Sequence, residues 1–390
     1  MLDFFAPLLS HNRLDFGKSL ETSFGNMSFL WELLLLSLSA TLVFALVFAL
    51  VFFWFRRAGL LDRPDKYGLK RWPVPFAVGC GLYLGFLINC LLFVSITPKL
   101  AIILALGGFL VLYTFLDDLV TIEHPFGVRI PPWLRLFFQI SIGIIIGLTS
   151  IKIAYISWLL DGIIPLTIGE FSIGGMVIYP IALLVSVIWY VLLLNVINWS
   201  DEVPGVSTGI SLITFLALLA LSIKLFLIDQ TVTSQANSQF VLVLLSLLIP
   251  GVLIYFFLSL KPRIWGADSG TMFLWFMIAT LAIISGGKIA TVATVLWVYF
   301  IDFFYVIVAR IMNGKNPMKW DRIHHLHFRL IALGMRRSAI RQIVLTLTSF
   351  FAIAAIFLDK IGKIFFLLFI TLLIFSIAQI IESTKSREED

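Results

Sequence analysis

Long apolar runs joined by short polar links dominate the chain. They lie near residues 29–55, 74–97, 100–116, 134–155, 179–197, 208–228, 240–260, 271–286, 289–310, 341–358 and 364–381. A helix of about twenty apolar residues crosses a hydrocarbon core, so the pattern predicts an all-α polytopic membrane protein with about eleven transmembrane helices. Runs such as 33–55 do not alternate between apolar and polar positions, which argues against a barrel. The turns inside 74–116 and 271–310 are very short, so boundaries there are soft. Residues 156–178 hold Gly162, Pro165, Gly169, Gly174 and Gly175 among β-branched neighbours, a pattern that fits a small β-hairpin near 160–178. The organisation expected is an extracytoplasmic segment at 1–28, one integral-membrane domain at 29–382 and a charged tail at 383–390. Residues 1–27 carry Arg13, Asp15, Lys18 and Glu21, and the run after them is too long for a signal-peptide core, so no cleavable leader is expected.

Composition supports this picture, with 60% hydrophobic residues and only 13% charged ones among 390. The net charge of +6 is unevenly placed. Arg56, Arg57, Arg63, Lys66, Lys70 and Arg71 follow the first run, and a second basic block runs from Arg310 to Arg341. The links at 156–178 and 229–239 contain no Lys or Arg. The positive-inside rule then places the N-terminus outside and the C-terminus in the cytosol. With that topology the polar segments 56–73, 117–133, 198–207, 261–270 and 311–340 share the cytosolic face. Ionisable groups at several helix ends can meet only around a common cavity, which marks a candidate site. The basic charge serves orientation and would also suit an anionic ligand or the head groups of membrane lipids. It gives no support for nucleic acid as a partner, and no P-loop, dinucleotide fingerprint or Ser-His-Asp order is present. Cys80 and Cys90 fall about 15 Å apart along one predicted helix, too far for a disulfide.

Four clusters could carry chemistry. Asp117 and Asp118 close the apolar run 100–116; an Asp in the middle of a membrane costs about 2.5–3.5 kcal/mol on insertion scales, so the pair belongs at a boundary or in a polar cavity. Asn195, Asn198 and Asp201 recur every three residues at the end of the fifth run. That row could hold hydrated Mg²⁺ or a sugar, or could end a helix at Pro204-Gly205. Asp268 stands between Ala267 and the small residues Ser269 and Gly270, at the start of the eighth run. There it is either a metal ligand beside phosphate or an N-cap. His324, His325 and His327 sit near Arg322 and Arg329, a set better suited to binding an anion than zinc, or to a solvated basic loop.

Taken together, these segments resemble the polyprenyl-phosphate N-acetylhexosamine-1-phosphate transferase family. The resemblance runs from about residue 56 to 340 and rests on five motifs in family order. They are Asp62 to Pro75, Phe115 to Asp118 with Arg135 and Gln139 downstream, Asn195 to Gly205, Gly266 to Thr271, and His325 to Leu330 followed by Gly334. The chain departs from the family where Thr114 and Ala267 stand at positions commonly glycine. It also lacks the second acid of the third motif, which reads Asp201-Glu-Val-Pro204-Gly205.

The resemblance implies transfer of a HexNAc-1-phosphate, GlcNAc-1-phosphate first among them, from a UDP-N-acetylhexosamine to undecaprenyl or another polyprenyl phosphate. UMP is released, and a lipid-linked cell-envelope glycan is begun. It implies Mg²⁺, with Mn²⁺ as a substitute, held by Asp268 with Asn198 and Asp201 near the metal or pyrophosphate. Asp117 would position or deprotonate the lipid phosphate, with Asp118 in support. Lys70, Arg71, Asn195, Asn198, Gly270, His324, His325, His327 and Arg329 would bind substrate. The expected location is the bacterial plasma membrane with the site at its cytosolic face, and a homodimer is left open. A phospho-N-acetylmuramoyl-pentapeptide transferase is the alternative within the family, and a transporter of anionic metabolites the alternative outside it. An intramembrane aspartyl protease fits less well, since its acids lie on separate helices within the bilayer.

Overall fold

The computed structural model describes residues 23–62, 64, 72–123, 130–157, 162–196, 203–228, 231–260, 264, 267–286, 288–316, 325–359 and 361–372. Helix α1 (Ser23–Arg57) is followed by α2 (Cys80–Phe93), α3 (Pro98–Glu123) and α4 (Pro132–Gly147). Pro132 suits the first turn of α4, where its missing N–H has no partner to lose. Two antiparallel hairpins come next. Strands β1 (Tyr155–Ser157) and β2 (Ile163–Pro165) pair Tyr155 with Pro165. Strands β3 (Phe171–Ile173) and β4 (Met176–Ile178) pair Ile173 with Met176 across Gly174-Gly175, both at positive φ as a two-residue turn requires. The sequence predicts one hairpin near 160–178; the chain forms two, the first starting earlier.

Helices α5 (Pro180–Val196), α6 (Val206–Ile228), α7 (Val232–Leu260), α8 (Ala267–Ile284), α9 (Ile289–Val295), α10 (Trp297–Met312), α11 (Leu326–Ala332) and α12 (Arg337–Phe357) follow, then α13 (Ile361–Leu372). The fold is that of an all-α polytopic membrane protein. Among the described residues, six helices (α1, α3, α6, α7, α8 and α12) are long and apolar enough to cross a membrane, and the α9–α10 pair makes a seventh if counted as one bent span. Helices α2, α4, α5 and α13 stand where the sequence predicts further crossings but are shorter over the described residues, so the expected count of eleven does not follow from length and composition there. The run 289–310, expected as one span, bends by 75° between α9 and α10. Ile289, Thr291, Val292, Thr294 and Val295 are β-branched, and such a run is a poor helix former.

Helix α8 is the axis of the bundle. Every one of its residues is buried except Asp268, consistent with its being apolar all round. It packs against α2, α3, α5 and α6. Helix α1 lies on α2 and α7, with Phe44 wedged where Gly85 and Gly251 leave room; a Cβ at either glycine would come within 2.4 Å of its ring. The outer stripe of α1 exposes Trp31, Leu34, Leu38, Leu42, Leu46 and Leu50, a surface suited to lipid. Cys80 and Cys90 are buried free thiols, as their spacing predicts.

Candidate active site

The paired acids lie inside α3 rather than beyond it, because the helix continues to Glu123. Both are buried. Adjacent residues on a helix point about 100° apart, and these two take different partners. The Asp117 carboxylate accepts the Ile130 N–H through Oδ1 at 2.7 Å and forms an ion pair with Arg135 through Oδ2. That anchors the return of the chain into α4, one turn before Arg135. Asp118 instead accepts the backbone N–H groups of Asp268 and Ser269, at 3.1 and 3.0 Å. It caps α8 from another helix, and its negative charge meets the positive end of the helix dipole. Asp268 therefore does not cap α8; its carboxylate turns to Arg135 as well. Asp117 and Asp268 each present Oδ2 to the same guanidinium nitrogen of Arg135.

The neighbouring turn of α4 carries Gln139, whose side-chain carbonyl accepts from the Asn195 amide at 2.6 Å; Asn195 also donates to the Val191 carbonyl. This close approach of α4 and α5 depends on Gly143 and Gly147. A Cβ at Gly143 would lie 2.8 Å from the Val187 Cα, and one at Gly147 would lie 2.6 Å from Leu183. The small-xxx-small spacing is a familiar way to bring membrane helices together. Gly270 plays a similar part, facing the Gly79 backbone with only 2.7 Å for an added Cβ. The polypeptide itself thus uses the space Gly270 leaves. Tyr113, one turn before Asp117, has a buried hydroxyl with no hydrogen-bond partner among the described residues.

A second cluster forms around Asp302 of α10. Its Oδ2 lies 2.8 Å from His325 Nδ1, and its Oδ1 accepts the Leu326 N–H at 2.8 Å. One carboxylate thus orients the imidazole and satisfies the start of α11. The His327 ring stacks on His325 at 5.7 Å and packs against Phe328. Burial, then the neighbouring His325, push the His327 pKa down to about 4 against the opposing pull of Asp302. His327 is therefore neutral at physiological pH, so it can offer an anion a hydrogen bond but no charge. Arg329 lies over the Tyr305 ring at 5.4 Å. A cavity of about 30 Å³ is lined by Val203, Tyr299, Asp302 and His327 among others. Arg341 holds the adjoining turn by donating to the Pro204 and Leu260 carbonyls. The third motif thus starts at the Arg135 cluster, through Asn195, and ends at the histidine cluster, through Val203.

Lys70, Arg71, Asn198, Asp201 and His324 lie outside the described residues. The helical row proposed for Asn195, Asn198 and Asp201 can be followed only to Val196, where α5 ends. The first motif closes at its base, where the Asp62 and Val74 backbones pair and Asp62 Oδ1 accepts the Val74 N–H at 2.8 Å.

The family model described as glycosyl transferase family 4 matches residues 100–286, which carry Asp117, Asp118, Arg135, Asn195 and Asp268. Over those residues the chain is similar to that family. It is a sugar-phosphate transferase with several apolar helices, a multi-pass membrane protein. It is 25% identical over 335 residues to a Bacillus subtilis (strain 168) protein named "Probable undecaprenyl-phosphate N-acetylglucosaminyl 1-phosphate transferase", covering 83% of this chain and 84% of that one. It is 24% identical to the undecaprenyl-phosphate alpha-N-acetylglucosaminyl 1-phosphate transferase of Escherichia coli (strain K12), over 76% and 77%. Similarity to the phospho-N-acetylmuramoyl-pentapeptide-transferase of Staphylococcus carnosus (strain TM300) is 26% over 55% of this chain and 63% of the relative.

Two residues at the centre of these clusters carry no assignment from sequence. Arg135 is named there as a neighbour of the acid pair, without a role; nothing in a linear sequence shows one guanidinium reaching two carboxylates. Asp302 is not singled out at all. Its signal was available, since a lone acid inside an apolar run is a site hypothesis by default.

Proposed function

We propose that this transferase moves GlcNAc-1-phosphate from UDP-GlcNAc to undecaprenyl phosphate or a related polyprenyl phosphate, releasing UMP. The observation that carries this reading is the meeting of Asp117, Asp268 and Arg135 beside Asp118, at one end of a helical body with an apolar exterior. A water-soluble anionic donor and a lipid-tailed anionic acceptor both need such a place. The names of the Bacillus subtilis and Escherichia coli relatives support the acceptor and the transferred sugar phosphate. The muramoyl-pentapeptide alternative is less favoured because its match covers less of both chains.

In the reaction, an oxygen of the lipid phosphate attacks the sugar-bearing phosphorus of UDP-GlcNAc. The bond from that phosphorus to the bridging oxygen breaks, and UMP leaves with the electron pair. The acceptor phosphate has its second pKa near 6, so it needs little help losing a proton. Asp117 is therefore assigned to positioning more than to base catalysis. Asp118 fixes the start of α8 and so the direction of Asp268. Arg135, His325, His327 and Arg329 supply hydrogen bonds or charge to phosphate oxygens. Lys70, Arg71 and His324 are assigned to substrate on the family resemblance.

A divalent cation suits these residues. Asp117 and Asp268 converge on one cationic centre through hard oxygen donors, and Mg²⁺ is usually held by one or two carboxylates completed by substrate phosphates. Among the described residues no group of three or more metal-binding side chains is assembled, so Asn198, Asp201 or substrate would complete the set. When bound, Mg²⁺ or Mn²⁺ would offset the repulsion between the two phosphates and stabilise charge on the leaving one.

The topology that goes with this function has eleven crossings of the bacterial plasma membrane. The N-terminus and both hairpins lie outside, and the site and C-terminus lie in the cytosol, with a homodimer allowed. Purified protein given UDP-GlcNAc and a short polyprenyl phosphate should release UMP, and EDTA should stop it. Uptake of anions into proteoliposomes without UMP release would favour a transporter instead.

A further inference from the structure

We propose that Arg135 is the resident counter-cation of the Asp117–Asp268 pair and leaves Asp268 by exchange when a divalent metal enters. This rests on the metal-dependent reading above.

Three observations carry it. First, both acids aim Oδ2 at one terminal nitrogen of Arg135. A permanent structural pair with arginine favours a fork, with two parallel N–H donors on one carboxylate. Here Nε is buried with no hydrogen-bond partner among the described residues, an arrangement that leaves a donor unsatisfied. Second, the anchors differ in mobility. Asp117 is 3% exposed and is tied to the Ile130 N–H, while Asp118 fixes the backbone of Asp268 and Ser269. The side chains of Asp268 and Arg135 are 30% and 19% exposed, so the limb between them is the one with room to open. Third, the guanidinium cannot shed its charge by losing a proton. It holds together two carboxylates that would otherwise repel, and a second cation arriving between them must displace it. A released guanidinium beside the metal then faces the phosphates of donor or acceptor. The same side chain thus keeps the site assembled before the metal binds and serves the anionic substrate afterwards.

The test uses the full chain in detergent and Mn²⁺ alone as the probe, with free Mn²⁺ read by electron paramagnetic resonance. Arg135→Gln removes the competing charge and should tighten Mn²⁺ binding by about tenfold or more. Unchanged or weaker binding overturns the exchange. Arg135→Lys keeps the charge and supplies a chemical reporter should the glutamine variant not fold. The new amine should be shielded from sulfo-NHS acetate without metal and become several-fold more reactive when Mn²⁺ is added. Equal or lower reactivity sinks the proposal. Asp268→Asn separates the two ideas. If it binds Mn²⁺ as well as the parent, the metal reading itself fails. If it loses Mn²⁺ while Arg135→Gln binds as the parent does, only the exchange fails.

Discussion

Asp117 and Asp118 are chemically identical neighbours, yet one holds a cation and the other a helix terminus. The difference comes from the turn of α3, which points one side chain at α4 and the next at α8. A similar constraint acts at Ala267, whose φ of +55° lies in the left-handed region. The family commonly has glycine there, and an L-residue with a Cβ in this conformation is strained by about 1–2 kcal/mol. Ala267→Gly should therefore raise stability by about 1 kcal/mol, seen as a higher melting temperature in detergent; an unchanged or lower melting temperature would count against strain at this position. His327 makes a pH-dependent contribution. Its folded pKa of about 4 lies below the ordinary value near 6.5, so the unfolded chain takes up the proton first as pH falls. The stability associated with the neutral ring is complete above pH 6.5 or so and is lost progressively toward pH 4. Thermal melts from pH 7 to pH 4 should show this loss, and His327→Gln should flatten part of it. The acids and histidines were legible in the sequence because each is rare in an apolar chain. Arg135 received no role and Asp302 was not singled out, because their meaning is the partner they reach.

At the scale of elements, the site depends on how closely helices approach. Gly143 and Gly147 bring α4 against α5, and the Gln139–Asn195 amide pair lies at the end of that contact. A valine at Gly143 would meet the Val187 backbone, which cannot rotate out of the way. Gly143→Val should therefore cost about 1–3 kcal/mol by overpacking. It should also lower UMP release at least tenfold by pulling Asn195 from Gln139. A variant with parental melting temperature and turnover would show that this contact does not set the site. Apolar runs revealed where helices form, but they did not reveal which face is buried. The exposed Leu38 and the buried Phe44 of α1 are equally apolar, since lipid and protein interior select the same residues. The break between α9 and α10 was likewise hidden, because isoleucine and valine are as apolar as the rest of the run and two threonines do not interrupt it.

For the whole molecule, the orientation in the membrane is the prediction that most needs a direct measurement. Cys80 and Cys90 are buried, so introduced thiols can be labelled selectively. Ser172→Cys, exposed on β3, should react with an impermeant maleimide from outside intact cells. Arg336→Cys, exposed before α12, should react only after the membrane is opened. The reverse pattern would invert the topology, and labelling of both from one side would refute the proposed placement of the hairpins. The sequence by itself determined the class of the protein, the approximate positions of its helices and the acidic and histidine motifs. It did so because burial of backbone in lipid demands long apolar helices and makes every charge conspicuous. Only the tertiary structure decided that Asp117 and Asp268 share Arg135, that Asp118 caps α8 and that Asp302 holds His325. Those relations join residues far apart in the chain, and they exist only once the helices have packed and set the distances between side chains.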